Sequence, residues 1–332
     1  MSGKTTITDI AKALNVSTAT VSRALNSSRL VTTEVAELVC RTAEEMGYKK
    51  RAIRRHRGRA ILNVKLILPR HDEAERTLFY DLSALINGVQ SGFTECGINL
   101  LCETASKDFK LYPHKKGGDI NGFLFAFNQP SPETIAELRS TKTPFAIINR
   151  SYEDLPCIAS ENARGMESLI DHLLARGRYE KLKPCYLTIK EMGQVCDERR
   201  LGLAASCKEK GIDFSMENDV YIYESIPAID SAAAKELAAK YNAILCMNDI
   251  MGTVLLTELD RLNIRVPDDL SVTGFDNSPV RKLSRPMLTT VSMPVAELAK
   301  AAAARLETEI IEHFSPEAVI RVPGTLMLGE ST

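Results

Sequence analysis

Between Thr6 and Asn26 the chain reads TITDIAKALNVSTATVSRALN, and its polar residues are of the types that meet duplex DNA. Arg23 can place two hydrogen bonds on O6 and N7 of a guanine, and the methyls of Thr18 and Ala19 suit the methyl of thymine. Ser17, Thr20, Ser22 and Asn26 offer hydroxyls and an amide to phosphate oxygens, and Thr6 joins them where the segment opens. Such contacts need two short helices and a tight turn, the second helix lying in a major groove while the first crosses the backbone. The apolar spacing supplies them. Thr6 and Asp9 mark a start, and Ile7, Ile10, Ala11 and Leu14 share one helical face. After Asn15-Val16, Ser17 can cap a second helix with Val21, Ala24 and Leu25 inward. Thr32 caps a third, with Val35, Leu38, Val39, Thr42, Ala43 and Met46 inward and Gly47 at the stop.

Charge follows the same division. Residues 1–59 hold 12 of the 42 Lys+Arg and 5 of the 43 Asp+Glu, a balance of +7, while the remainder carries −8. A basic head on an acidic body implies a polyanion partner for the head alone. A three-helix protein-binding module would share the apolar spacing but has no need of that balance. Residues 49–59, KKRAIRRHRGR, place seven Lys/Arg among eleven residues with too little apolar matter to pack. The expected division is therefore a DNA-binding domain over 1–48, a basic hinge over 49–60 and a larger body over 61–332. Two readings of the hinge stand side by side. Arg51, Arg54, Arg55 and Arg57 either bind phosphates or a narrow A·T-rich minor groove, or they belong to a solvated spacer.

From Ile61 onward apolar strands are expected near 62–68, 98–102, 120–127, 145–148, 184–189, 219–223, 243–247, 270–274 and 288–292. Helical periodicity fills the gaps, as in Leu78, Leu82, Leu85, Ile86, Val89 and Phe93. Strand–helix alternation implies parallel sheets covered on both faces, with strands enough for two sheets and a cleft between two lobes. With 44% hydrophobic and 26% charged residues and no apolar run of about eighteen, no membrane span is expected. The amphipathic opening lacks a secretory pattern, so a cytoplasmic, nucleoid-associated protein is expected. None of the eight cysteines form Cys-x-x-Cys, which favours small buried hydrophobes over disulfides or metal ligands, and no cofactor is expected. No phosphate-cradling glycine loop, metal-spaced cluster or Cys-His or Ser-His motif argues for an enzyme. A free solute-binding protein would not carry the DNA-reading head.

The DNA-reading segment, the close at Glu45-Met46-Gly47-Tyr48 and a series of downstream motifs resemble the lac repressor-type (LacI/GalR) regulators. The downstream motifs are Asn248-Asp249, Val266-Pro267-Asp268-Asp269-Leu270-Ser271-Val272, Gly274-Phe275-Asp276-Asn277, Leu288-Thr289-Thr290-Val291 and Val322-Pro323-Gly324-Thr325-Leu326. The resemblance covers nearly the whole chain. It implies a small all-α helix-turn-helix domain followed by an α/β periplasmic-binding-protein-like core of two Rossmann-like lobes joined by three crossing strands. It further implies a homodimer on a near-palindromic operator, and a sugar or related metabolite in the cleft. Lobe 1 would comprise about 61–160 and 292–320, and lobe 2 about 161–291 and 321–332. Tyr48 joins the DNA-binding set on this ground.

In Cys196-Asp197-Glu198-Arg199-Arg200-Leu201-Gly202, the arginine three before the glycine matches the family's ligand-gripping Arg, here Arg199. Asp276 matches its cleft aspartate, with Asn248 and Phe275 either as an amide contact and an apolar wall or as packing alone. A guanidinium and a carboxylate can clamp adjacent hydroxyls with charge-assisted bonds, or simply form an interlobe salt bridge. In lobe 1, Arg70, Phe79, Tyr80, Asn149 and Arg150 fall near ligand positions, the two aromatics being equally suited to a core. Three departures stand out. The Asn-Pro before the aromatic pair is missing, residues 107–119 are shortened, and Val35-Ala36 replaces a Thr-Arg phosphate contact. In the hinge, Arg57 occupies the place of the leucine that wedges into the minor groove, which no arginine can do as an apolar wedge. The first-lobe changes leave a second outcome, a DNA-binding regulator whose degenerate cleft answers to a protein partner or to nothing.

Overall fold

The computed structural model describes residues 7–14, 16–25, 33–46, 61–69, 80–105, 111, 120–152, 154–190, 193–312 and 319–332. The chain separates into two compact units, Met1–Arg59 and Ala60–Thr332. In the first, α1 (Ile7–Leu14), α2 (Thr18–Leu25) and α3 (Thr33–Glu45) close around Ile10, Ala11, Val21, Ala24, Val39 and Ala43. Ser17 starts α2 by accepting a hydrogen bond at Oγ from the Thr20 N–H at 3.0 Å, as its type at that spacing predicts. Leu38, expected inward, is 42% exposed. Val35, Val39 and Met46 hold the buried stripe of α3, and Leu38 lies one step off it.

The second unit has two parallel sheets. Lobe 1 is built on β1 (Ile61–Leu68), β2 (Gly97–Thr104), β3 (Gly122–Ala126), β4 (Phe145–Ile148), β5 (Cys157–Ser160) and β11 (Val319–Val322), in the order β11-β5-β4-β3-β1-β2. Its helices are α4 (Leu82–Gly92), α5 (Pro132–Ser140) and α10 (Val295–Glu312). Lobe 2 carries β6 (Pro184–Ile189), β7 (Val220–Tyr223), β8 (Ala243–Cys246) and β9 (Ser271–Thr273) in the order β7-β6-β8-β9. Its helices are α6 (Asn162–Arg176), α7 (Gly193–Glu209), α8 (Ser231–Lys240) and α9 (Asp249–Arg261). All five residues of β3 are buried, because helices cover both faces of the sheet and no polar alternation is needed.

Three segments cross between lobes: Ser160 to Asn162, Val291 to Val295, and Val322 to Leu326, the last two bracketing the antiparallel pair β10 (Thr290–Val291) and β12 (Leu326–Met327). Lobe 1 is completed by α10, whose Leu298, Ala299, Ala302, Ala303 and Leu306 pack against Leu85, Val89 and the sheet. The strands β5, β11 and β12 were not foreseen. β5 is a run of only four residues, one of them Ser and one Ala, and β11 carries Arg321 in its middle. β5 is fully buried between β4 and β11, while β11 and β12 are half-buried and held by pairing with β5 and β10. Among the described residues no helix is long and apolar enough to cross a membrane, and no cluster of His, Cys, Asp or Glu could hold a metal ion. Six of the seven described cysteines are buried free thiols, and Cys102 is exposed.

Candidate functional site

In an open parallel sheet, ligands gather beyond the carboxyl ends of the strands. In lobe 2 those ends carry Met247-Asn248-Asp249 after β8 and Phe275-Asp276 after β9. Arg199, on the second turn of α7, points among them and is only 2% exposed. Its Nη2 donates to Asp276 Oδ1 at 2.6 Å, its Nε to Asn162 Oδ1 at 3.0 Å, and its Nη1 to the carbonyl of Met247. The guanidinium lies over the Phe275 ring, 3.8 Å from its centre. Phe275 is itself buried, its ring edge against Gly165 of α6, so it forms the floor beneath the arginine. Burial alone would strip charge from both partners. It raises the Asp276 carboxyl above its ordinary range, against the pull of Arg199 and the positive Arg150, while the same pairing helps hold Arg199 above its usual value. Gly202, one turn along α7, is fixed by packing: a Cβ there would run into the backbone of Ala163 on α6.

Asn248 is buried and caps α9, its Oδ1 accepting from the Met251 N–H at 2.9 Å, while its Nδ2 has no partner. That amide nitrogen is a buried donor left without a partner. Asp249 beside it is fully buried, and burial, with the negative Asp276 as a lesser cause, pushes its carboxyl up to about 7. It is opposed by hydrogen bonds from the Thr290 hydroxyl and the Ser278 N–H. An acid raised in the folded state destabilises as pH climbs from its unfolded value of about 4 towards 7, since the unfolded chain releases its proton first. Stability should fall by about 1.4 kcal/mol per pH unit over that window, and Asp249→Asn should flatten the fall. Urea midpoints at pH 4.5, 5.5 and 6.5 measure both; equal slopes in the two proteins would remove Asp249 as the cause.

Lobe 1 gathers Tyr80, Asn149 and Arg150. Tyr80 stacks on Phe127 with ring centres 4.2 Å apart. Arg150 donates from Nη2 to the carbonyl of Phe127 at 2.6 Å and from Nη1 to that of Asn149 at 2.8 Å. Asn149 accepts from the Ser160 hydroxyl at 3.0 Å and donates to Met293 Sδ at 2.9 Å, tying β4 to two crossing segments. The Arg150 charge is the least of the influences that oppose the burial-driven rise of the Asp276 carboxyl. Arg70 and Phe79 lie outside the described residues.

Sequence reasoning overlooked Asn162 and Glu198, which stand around Arg199, and Arg321 and Ser151 on the lobe 1 side. One signal was present: Arg321 puts a charge inside the apolar run Val319–Val322. In the DNA-reading unit, Thr18 is exposed and Thr20 half-buried at the start of α2, while Ala19, Ser22 and Arg23 belong to the same helix. Ser17 Oγ lies 2.8 Å from Thr20 Oγ1. Thr6, Asn26, Tyr48, Arg51, Arg54, Arg55 and Arg57 lie outside the described residues.

Residues 6–50 match the family model of bacterial regulatory proteins, lacI family, and residues 170–332 match that of a periplasmic binding protein-like domain. The head is a lacI-family DNA-binding domain. The chain is 25% identical over 345 residues to the ribose operon repressor of Halalkalibacterium halodurans, covering 99% of this chain and 97% of that one. It shares its fold with the transcriptional regulator CelR in complex with cellobiose, at TM-score 0.66 and 21% identity over 99% of this chain and 100% of the other. It shares it also with the lac repressor dimer bound to operator and the anti-inducer ONPF, at TM-score 0.61 and 17% identity over 99% of each chain. With a lacI-family head on a periplasmic-binding-protein-like body, it is a DNA-binding transcription regulator. The family matches cover the DNA-reading unit and most of lobe 2, whereas most of lobe 1 falls between them.

Proposed function

We propose that this regulator is a repressor that binds a near-palindromic operator as a homodimer and releases or holds it according to a sugar or related metabolite in the cleft. Residues 1–48 read the operator, 49–60 form a basic hinge, and the lobes of 61–332 hold the effector. The observation that carries this reading is the buried Arg199–Asp276 pair at the strand ends of lobe 2. Paired donors and acceptors of fixed geometry suit the vicinal hydroxyls of a polyol, and the unused Asn248 amide adds a donor. The names of the ribose operon repressor and of the CelR–cellobiose complex agree with a sugar, and the operator-bound lac repressor dimer agrees with the assembly. Binding and release need no bond to be made or broken, so no catalytic role is assigned, and such a protein works in the cytoplasm at the nucleoid.

A second reading has its own support. The first-lobe departures, the missing Asn-Pro before the aromatic pair and the shortened segment over 107–119, suit a cleft that answers to a protein partner or to nothing. A metabolite panel separates the two: about 100-fold excess of a true effector over its Kd stabilises by about 2.7 kcal/mol, a thermal shift easily read. No shift with any sugar, nucleoside or amino acid would favour the second reading.

The DNA arm is tested by selecting operators from random duplexes and then replacing Arg23 on α2. Arg23→Ala should weaken operator binding by about 1–3 kcal/mol and relax preference at one base pair per half-site. Unchanged base preference in a half-site gel-shift panel would take Arg23 out of the reading set.

A further inference from the structure

One chain of polar contacts leads out of the cleft and crosses between the lobes. Asn162, at the first residue of α6, accepts from Arg199 Nε at its Oδ1 and donates from its Nδ2 to Glu198 Oε2 at 2.8 Å. Glu198 precedes Arg199 on α7 and turns the other way, to Arg321 on β11 of lobe 1. There Arg321 donates Nη1 to Oε2 and Nη2 to Oε1, both at 2.9 Å, a two-bond fork that fixes direction as well as distance. The same guanidinium reaches the Ser151 hydroxyl at 2.8 Å and the Ser160 carbonyl at 3.3 Å. A second bond joins the lobes beside it, the Ser151 N–H to Gln194 Oε1 at 3.3 Å. Glu198 thus holds lobe 1 directly and meets the cleft arginine through Asn162.

We infer that Glu198 and Arg321 are positioning residues that latch the lobes together, and that Asn162 makes the latch sense how Arg199 is held. When Arg199 turns towards another acceptor, Asn162 is freed to rotate, Glu198 loses one donor, and the fork to Arg321 loosens. Only this dependence on Arg199 rests on the effector reading above; the latch itself does not. The Glu198 and Arg321 side chains are 20% and 39% exposed, so the fork is open to screening by salt.

The test uses the full chain without any effector, so that a cleft that binds nothing leaves the result intact. Spin labels go on p-acetylphenylalanine at the exposed Ser140 of α5 and Glu209 of α7, and pulsed electron resonance reads the distance between lobes. The native chain should give one distance at low salt. Arg321→Met should add a longer one in at least about a third of molecules, Arg321→Lys fewer, and 1 M NaCl should reproduce the longer distance in the native chain. Asn162→Ala should shift the distribution the same way as Arg321→Met. Asp197→Ala, which removes the ion pair to Arg200 on the same helix, should leave it unchanged. A native distribution in Arg321→Met, or an equal shift in Asp197→Ala, overturns the latch. If Arg321→Met fails to fold, Arg321→Lys and the native salt series decide: two unchanged distributions overturn it, and the longer distance in both supports it. A native distribution in Asn162→Ala alone overturns the dependence on Arg199.

Discussion

Arg199→Met should destabilise the larger unit by about 3–5 kcal/mol, the cost of leaving one member of a buried ion pair without its partner. The stranded group is Asp276, 9% exposed, which would have to take up a proton or draw in water. Arg199→Met with Asp276→Asn leaves no charge to strand and should recover part of the loss, a non-additivity that urea melts of the four proteins measure directly. Both single variants should also lose the response to effector while effector-free operator binding persists. A loss below about 1 kcal/mol in Arg199→Met would show the pair to be solvated, and native effector affinity in either variant by calorimetry would make it an ion pair only.

Replacing Arg54, Arg55, Arg57 and Arg59 together by Ala should remove up to four phosphate partners. The slope of log affinity against log salt would then flatten by up to about 0.9 per lost contact, nearly equally on operator and random DNA. An arm that reads a narrow minor groove adds a larger loss on A·T-centred operators than on G·C-centred ones. A solvated spacer predicts no change of slope. With Arg57 in place of an apolar wedge, the operator centre should be bent little; a sharp kink in a circular-permutation gel shift would mean that Ile53 or another side chain has taken over the wedge.

How legible the protein was depends on the kind of signal. The head was legible because its helices are amphipathic and end on recognisable caps, as Ser17 shows. The long buried strands β1 and β6 were legible from apolar runs bounded by polar residues. β5 was not, because Ala159 and Ser160 shorten its apolar run to two residues, nor was β11, whose run Arg321 interrupts. In the site, Arg199 and Asp276 were reached through the resemblance to the lac repressor-type regulators, and the structure brings them together. Asn162, Glu198 and Arg321 escaped because their partners lie 36, 37 and 123 residues away, and spacing carries no trace of such pairs. Phe275 was expected as a wall of the cleft and stands instead under the arginine, a placement that depends on Gly165 leaving room for its ring.

Neither lobe is continuous in the chain, and this dictates an order of events during synthesis. When residues 61–160 have left the ribosome, five of the six strands of lobe 1 exist, but the face that α10 covers is still bare. The missing pieces, α10 and β11, are made only after the whole of β6 to β10. For well over a hundred residues of translation, Leu85, Val89 and Leu124 therefore lack α10 and remain open to wrong partners. Lobe 2 can gather its four strands and four helices within one uninterrupted stretch, and lacks only β12 and the C-terminal residues after it, of which Ser331 bonds to Val272 of β9. The second lobe is thus placed to fold before the first, and a nascent chain arrested near residue 290 should be protease-resistant in lobe 2 and still cleavable in lobe 1.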